Sequence, residues 1–279
     1  MEDEIENTIQ NSETEISIYE CLTKFKEPLL NSIIKSLSIP AESKGLDAGC
    51  GIGSVTKLLA ETVGEKGHVI GVDLSKDFVH YAKNNNQTNN TQFIEGNVNS
   101  LRFDDNSFDW VWSIDTIWPG PKELGCPSED PLKIIKEFHR VIKPGGSVFI
   151  LFWSSQKLLA GYPILEARLN TTSSATAPYN KGMKPVNHIM NGRYWLQKAV
   201  FNDISAKTYL GDIIAPLSGN DRNALTILFQ MFWGESESEV TENDLNDFKR
   251  LYDPDSDDYI LNKQHYYGFY TYTLFRGKK

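Results

Sequence analysis

Residues Leu46 to Gly53 read L-D-A-G-C-G-I-G, three glycines at every second position behind a short apolar run that carries an acid. Glycine has no Cβ, so a turn built on Gly49, Gly51 and Gly53 lets a nucleotide-like ligand approach the backbone closely. Many nucleotide sites share such a turn, and Asp47 narrows the choice. A helix N-terminus aimed at a pyrophosphate favours negative charge, which a carboxylate two residues before the first glycine would repel. A ligand end bearing positive charge gains from the same acid. Ser54 also stands where a G-x-G-x-x-G dinucleotide fingerprint has its third glycine.

Outward from this turn, short apolar runs alternate with helical patterns, the signature of a parallel sheet covered on both faces. Strands are predicted at about 44 to 48, 68 to 73, 91 to 95, 108 to 114 and 147 to 152. A helix from Ser54 to Val63 is closed by Gly64. A second starts behind Ser75 as N-cap and ends in the Asn84 to Asn90 run, and a third has Asp130 as cap with Pro131 at its first position. Upstream, residues 1 to 15 read as a frayed polar end. Ile18, Leu22, Phe25, Leu29, Ile33 and Leu37 then follow helical spacing, with Pro28 expected to kink or divide the segment. Downstream, 204 to 210 and 266 to 276 alternate as two more strands, each preceded by a long insertion with helical stretches.

The expected fold is α/β, a Rossmann-like, mostly parallel sheet of seven strands with helices on both faces and a helical cap from insertions. Residues 1–40 form an N-terminal helical segment and 41–153 the ligand-binding core. Residues 154–203 form a helical cap, and 204–279 the end of the sheet with an insertion at about 211–264.

The chain has 279 residues, 40% hydrophobic and 11% aromatic, which suits a large buried core. No apolar run approaches the roughly 18 residues of a membrane span. The acidic start M-E-D-E-I-E-N lacks the basic region and apolar stretch of an export signal, so the expected location is cytoplasmic. A net charge of -9 argues against a nucleic-acid partner, which needs a Lys/Arg surface. Three cysteines and five histidines without ligand spacing give neither a disulfide framework nor a metal site. Oligomeric state is not legible.

Five blocks in order, L-D-A-G-C-G-I-G at 46, G-V-D-L-S at 71, F-I-E-G-N-V at 93, F-D-D-N-S-F-D-W-V at 103 and E-F-H-R-V-I-K-P-G-G at 137, carry a resemblance. Over about residues 40 to 152 the chain resembles class I S-adenosylmethionine (SAM) dependent methyltransferases, in the broad branch of ubiquinone/menaquinone-type and small-molecule enzymes. SAM carries an ammonium and a sulfonium, which agrees with the reading of Asp47. The resemblance implies transfer of a methyl group to a small-molecule acceptor. It also implies cofactor contacts from Tyr19, Asp47, Gly49, Cys50, Gly51, Gly53, Asp73, Leu74, Asn97, Val98, Ser113 and Ile114.

Each position has its own physical reading. Asp73 ends the second strand 20 residues after Gly53, where a carboxylate can accept from both ribose hydroxyls; the alternative is a capping acid before Ser75. Leu74 offers an apolar wall to adenine. Asn97 stands where the family often has an acid facing the adenine amino group, and an amide can still accept there; a turn asparagine is the alternative. Cys50 reads as a small residue in a tight turn, with nothing nearby to activate its thiol. Asp115 is the catalytic candidate, a carboxylate beside the methyl channel that could orient or deprotonate an acceptor; a loop acid that caps or binds substrate without proton transfer is the alternative. Trp112, Trp118 and the Pro119-Gly120-Pro121 turn suggest a walled pocket mouth. Tyr162, Arg168, Tyr179, His188, Arg193, Tyr194 and Trp195 are candidates for lining the acceptor pocket, with an ion pair as the alternative for Arg168. Two other functions remain open on sequence, an NAD-dependent oxidoreductase and a SAM-binding module without catalysis.

Overall fold

The computed structural model describes residues 2–120, 126–177, 179 and 183–279, with 2–12 described as helix backbone only. A long helix, α1 (Glu2–Ser36), precedes β1 (Lys44–Ala48), α2 (Ser54–Val63), β2 (His68–Asp73), α3 (Lys76–Asn85), β3 (Thr91–Glu95), β4 (Phe108–Ile114), α4 (Pro131–Val141) and β5 (Ile142–Lys157). There follow α5 (Pro163–Leu169), α6 (Ser173–Thr176), α7 (Gly192–Lys198), β6 (Asn202–Ile214), α8 (Gly219–Trp233), α9 (Glu242–Tyr252) and β7 (Tyr267–Lys278).

The seven strands form one sheet in the order β3-β2-β1-β4-β5-β7-β6. The first five are parallel to one another, while β7 runs antiparallel to both β5 and β6. The chain leaves β1 for β2 on one side and later returns to β4 on the other. Strand order therefore reverses between β1 and β4, and a crevice opens at their carboxyl ends. The glycine turn leaves β1 at this point.

Local chemistry explains why the core helices start where the sequence predicts. Ser75 Oγ accepts from the Phe78 N–H (3.3 Å) to open α3, and Asp130 Oδ1 from the Leu132 N–H (3.0 Å) to open α4. At α2 the cap is Gly53 in the left-handed region (φ 84°), with no side-chain cap bond.

Two expectations about the N-terminal segment are corrected. Residues 2 to 15 belong to α1, consistent with a run free of Gly and Pro and rich in helix-forming Glu. Pro28 lies inside one uninterrupted helix. Buried Leu22, Phe25, Leu30, Ile33 and Ile34 flank it, so packing onto the core outweighs the lost N–H. A third correction concerns β5, which begins at Ile142 and not at about 147. A register shift after Phe108↔Ile142 accommodates Lys143 to Gly146 before pairing resumes at Trp110↔Ser147.

Two apolar cores cover the sheet faces. One gathers α1, α2, α5, α8 and α9 around Trp110, Trp112, Phe149, Leu151 and Tyr272. The other gathers α4 and α7 around Val111, Val148, Ile150 and Phe152. Of the insertion helices, α5, α8 and α9 share the face of α1, whereas α7 lies on the opposite one. None of the helices, among the described residues, is long and apolar enough to cross a membrane.

Gly45 shows how tightly β1 is packed, because an added Cβ would lie 2.0 Å from the buried ring of Trp110, whose indole N–H donates to Ser43 Oγ (2.8 Å). Gly45→Ala should therefore lower stability by about 2 kcal/mol, the cost of overpacking a core, as read from the denaturant midpoint.

Candidate functional site

All three glycines of the turn have positive φ (Gly49 82°, Gly51 52°, Gly53 84°), which other residues rarely adopt. A Cβ at Gly49 would fall 2.0 Å from Thr116 Oγ1, and one at Gly53 2.7 Å from the Phe93 ring. At Gly51 a Cβ would meet nothing within 4 Å. The first and third glycines thus serve packing, and the second presents bare backbone to open space.

The turn is held from β2. The N–H groups of Gly49 and Cys50 both donate to the Val72 carbonyl (2.8 and 3.0 Å). That of Gly51 donates to Asp73 Oδ2 (2.8 Å), while Asp73 Oδ1 accepts from the Ser75 N–H (3.0 Å). The carboxylate thus orients local backbone, as in the capping alternative, while each oxygen keeps a further lone pair. Leu74 beside it is 67% exposed, an apolar side chain left at the mouth. Val98 is buried. Asn97 is exposed, with Oδ1 accepting from the backbone and side-chain N–H groups of Asn99 (both 2.9 Å), so its amide presently shapes a turn.

Asp47 is fully buried. Its Oδ2 accepts from Thr56 Oγ1 (2.6 Å), whereas Oδ1 has no hydrogen-bond partner among the described residues. Burial pushes its pKa up to about 7; the Thr56 hydroxyl opposes this and the Asp73 charge adds to it. An orphaned carboxylate oxygen at this depth calls for a cationic donor. Together with the open backbone at Gly51 and the acid at Asp73, it fits the ammonium and ribose of SAM. Cys50 is buried, and its thiol is raised by desolvation and by Asp47 and Asp73, which leaves it a packing residue.

At the end of β4, Ser113 is buried and donates its hydroxyl to the Ala48 carbonyl (2.9 Å), tying β4 to β1. Ile114 packs against the core on the α1 face. Asp115 then turns the chain in the left-handed region (φ 47°). Its N–H donates to the Leu151 carbonyl (3.0 Å), and its carbonyl accepts from the Trp118 indole (2.9 Å). Asp115 Oδ1 accepts from the Trp153 N–H (2.8 Å). Oδ2 accepts from the Tyr272 hydroxyl and lies 3.5 Å from Lys26 Nζ. Lys26 also sits over the Tyr272 ring, 5.9 Å from its centroid.

Helix α1 spans this end of the sheet. Tyr19 packs edge-on against Phe78 of α3 (4.9 Å), and the Tyr81 hydroxyl donates to Glu20. The Tyr19 phenol is raised first by burial, then by the charges of Glu15, Asp73 and Asp115.

The proposed acceptor-lining residues are not gathered into one pocket. Arg168 pairs with Asp244 (2.7 Å), its alternative reading, and the charge is met away from the turn. Trp195 is buried in the core opposite α1. Arg193 and Tyr194 line a groove of about 600 Å³ between α7 and β6, four strands from β1. Tyr179 packs at a tilt against His188 (4.5 Å) and approaches Trp118 (6.2 Å). His139 packs edge-on against Phe201, as an outer-helix residue would. Pro121, the last residue of the proposed mouth turn, lies outside the described residues. Sequence reading missed Thr56, Thr116, Lys26 and Tyr272. Of these only Lys26 had a local signal, its position seven residues after Tyr19 and hence on the same helix face.

The chain matches the model of a methyltransferase domain over residues 46–150. It is 32% identical over 185 residues to the demethylmenaquinone methyltransferase of Staphylococcus epidermidis, an alignment covering 64% of this chain and 69% of that protein. Solved structures share the fold. A methyltransferase from Bacillus halodurans superposes with TM-score 0.52 at 16% identity, covering 89% of this chain and 98% of that one. Phosphoethanolamine N-methyltransferase 2 of Haemonchus contortus, in complex with S-adenosylhomocysteine, superposes with TM-score 0.56 at 18% identity, covering 95% and 57%. With the ordered glycine turn, the acids ending β1 and β2 and the reversed sheet order, the conclusion follows that the chain belongs to the class I SAM-dependent methyltransferases, in the branch that includes the demethylmenaquinone enzymes.

Proposed function

We propose that this methyltransferase modifies an aromatic acceptor with an ionisable ring hydroxyl, of the demethylmenaquinol type. The observation that carries the reading is the half-buried meeting of Asp115, Tyr272 and Lys26 at the end of β4. Bound SAM supplies a methyl group on a sulfonium, already activated for displacement. The protein's part is to align the acceptor, exclude water and receive one proton. Asp115 lies next to the glycine turn through Thr116, whose hydroxyl donates to the Gly49 carbonyl (3.3 Å). An acceptor hydroxyl that takes the place of Lys26 on Oδ2 would be oriented by the carboxylate and could pass its proton there. Trp153 and Tyr270, stacked at 4.7 Å and 9°, supply a flat aromatic wall beside Tyr272, suited to a fused ring. The name of the Staphylococcus relative points to the same acceptor class. Nothing supports the NAD-dependent or non-catalytic alternatives.

In this reading SAM contacts Tyr19, Asp47, the 49–53 turn, Asp73, Leu74, Asn97, Val98, Ser113 and Ile114. Asp73→Ala should weaken SAM binding at least about tenfold in calorimetry, because it removes ribose acceptors and loosens Gly51. Undiminished affinity would remove Asp73 from the site.

Asp47 makes binding pH-dependent with a definite sign. Its pKa in the folded protein, about 7, lies above the ordinary carboxylate value, so between about pH 4 and 7 the folded chain keeps a proton that the unfolded chain has lost. This contribution destabilises the free protein as pH rises through that window. An ammonium beside Oδ1 restores the ionised form. SAM binding near pH 6 to 7 should therefore release a fraction of a proton, detected by calorimetry in buffers of different ionisation enthalpy, and Asp47→Asn should abolish the release.

The acceptor is tested with methyl-labelled SAM and chemically reduced demethylmenaquinol. Label should enter the ring compound, and Asp115→Asn should lower kcat about 100-fold with little change in SAM affinity. Absence of transfer to the reduced naphthol ring would reject the acceptor class while leaving SAM binding intact.

A further inference from the structure

Charge is segregated in this chain. No Asp or Glu stands between Glu166 and Asp203, while five Lys or Arg do, Arg168, Lys181, Lys184, Arg193 and Lys198, in a sequence whose net charge is -9. Residues 235 to 258 hold the reverse, ten acids against Lys249 and Arg250. The fold puts the helices of these two stretches on opposite sides of the sheet, since α9 packs on the α1 side and α7 on the α4 side.

Of the five cations, Arg168 is taken by Asp244 (2.7 Å). Lys184, Arg193 and Lys198 are exposed, and no acid among the described residues pairs with them. Lys133 and Lys136 of α4 are exposed on the same side of the sheet. The acid that enters this surface from β6, Asp203, is met by Lys278 (3.7 Å), and Glu129 and Asp130 border it at the start of α4.

Apolar side chains stand out among these cations. Val186, Met190, Tyr194 and Val200 are 42%, 50%, 39% and 72% exposed. Met190, Arg193, Tyr194 and Ile204 line the groove between α7 and β6, and Lys198 Nζ lies 5.6 Å from the centre of the Tyr194 ring. Val200 departs furthest from what folding alone favours. It follows α7 in the left-handed region (φ 67°), a position and conformation that suit glycine and burden a β-branched residue. Neither helix capping nor core packing accounts for an apolar side chain held in water there.

We propose that the α7 surface docks on an anionic lipid bilayer, with Lys184, Arg193 and Lys198 among the headgroups and Met190, Tyr194 and Val200 at the headgroup boundary. Cations set around exposed apolar side chains are the combination such a surface binds, because electrostatic attraction adds to apolar burial. A nucleic acid would meet the cations and gain little from Met190 and Val200. The acidic stretch on the α9 side is repelled by the same bilayer, so the molecule lands in one orientation. The inference goes beyond the acceptor reading and does not depend on it.

Sedimentation of the full chain with vesicles tests the proposal. Binding is expected to equimolar phosphatidylglycerol and phosphatidylcholine at low salt, falling as salt rises, and not to phosphatidylcholine alone. Lys184→Gln with Lys198→Gln should weaken vesicle binding about tenfold and leave SAM affinity in calorimetry unchanged. Met190→Ser with Val200→Gly alters no charge and should weaken vesicle binding about threefold. All four positions are exposed, and glycine suits the backbone at 200, so both variants keep the fold. A wild-type chain that ignores anionic vesicles overturns the proposal, as does undiminished binding by the lysine variant, which would put the contact on another surface. Binding lost with the lysines but untouched by Met190→Ser with Val200→Gly, alongside equal retention on heparin, would mean a general polyanion surface and overturns the lipid assignment.

Discussion

The corner at Asp115 is the point on which the site's geometry depends. A non-glycine residue at φ 47° is held in a sparsely populated conformation, which persists only where the surroundings determine it. Here they do so from four sides. Backbone groups of β5, the indole of Trp118, the phenol of Tyr272 on β7 and the ammonium of Lys26 on α1 all converge on one residue. The same contacts that fix the turn after β4 also dock the N-terminal helix and register the antiparallel end of the sheet. The Tyr272 phenol, raised by burial and by the Asp115 charge, keeps its proton and remains a donor.

Around that corner the electrostatics have one sign. Asp47, Asp73 and Asp115 lie within one residue of the ends of three adjacent strands, β1, β2 and β4, and Tyr19 lies in the field of the latter two. Burial without compensation is costly for a carboxylate, and at Asp47 the cost appears as a raised pKa. Such an arrangement disfavours a pyrophosphate and favours a ligand with two positive centres. The helix α1 is tied to α3 at Tyr19 and Glu20 and to Asp115 at Lys26, so it runs beside two of these strand ends.

Much of the core was readable because its signals are local. Ser75, Asp130 with Pro131, and Gly64 mark helix ends through hydrogen bonds to residues two to four positions away, and the strands before residue 115 follow runs of apolar residues. The block E-F-H-R-V-I-K-P-G-G also has a local physical basis: Arg140 binds Glu137 on its own helix and the carbonyls of Leu101 and Phe103, pinning the loop before β4. Acceptor-side residues were less readable. Arg193, Tyr194 and Trp195 read as pocket-lining aromatics and a cation, yet α7 packs on the face opposite α1, a matter of which side a connection crosses and not of composition. Tyr272 stands 157 positions from Asp115, so no window of sequence could pair them.

By itself, then, the sequence determined the parallel core, the glycine turn and the cationic preference written by Asp47, because these rest on backbone conformation and charge within short stretches. The tertiary structure decided the rest. It bound Asp115 to Lys26 and Tyr272, turned Arg168 away to Asp244, and left Asp47 Oδ1 buried without a partner among the described residues. Hydrogen-bond satisfaction is a property of a three-dimensional neighbourhood, and only folding reveals which buried groups it leaves unmet.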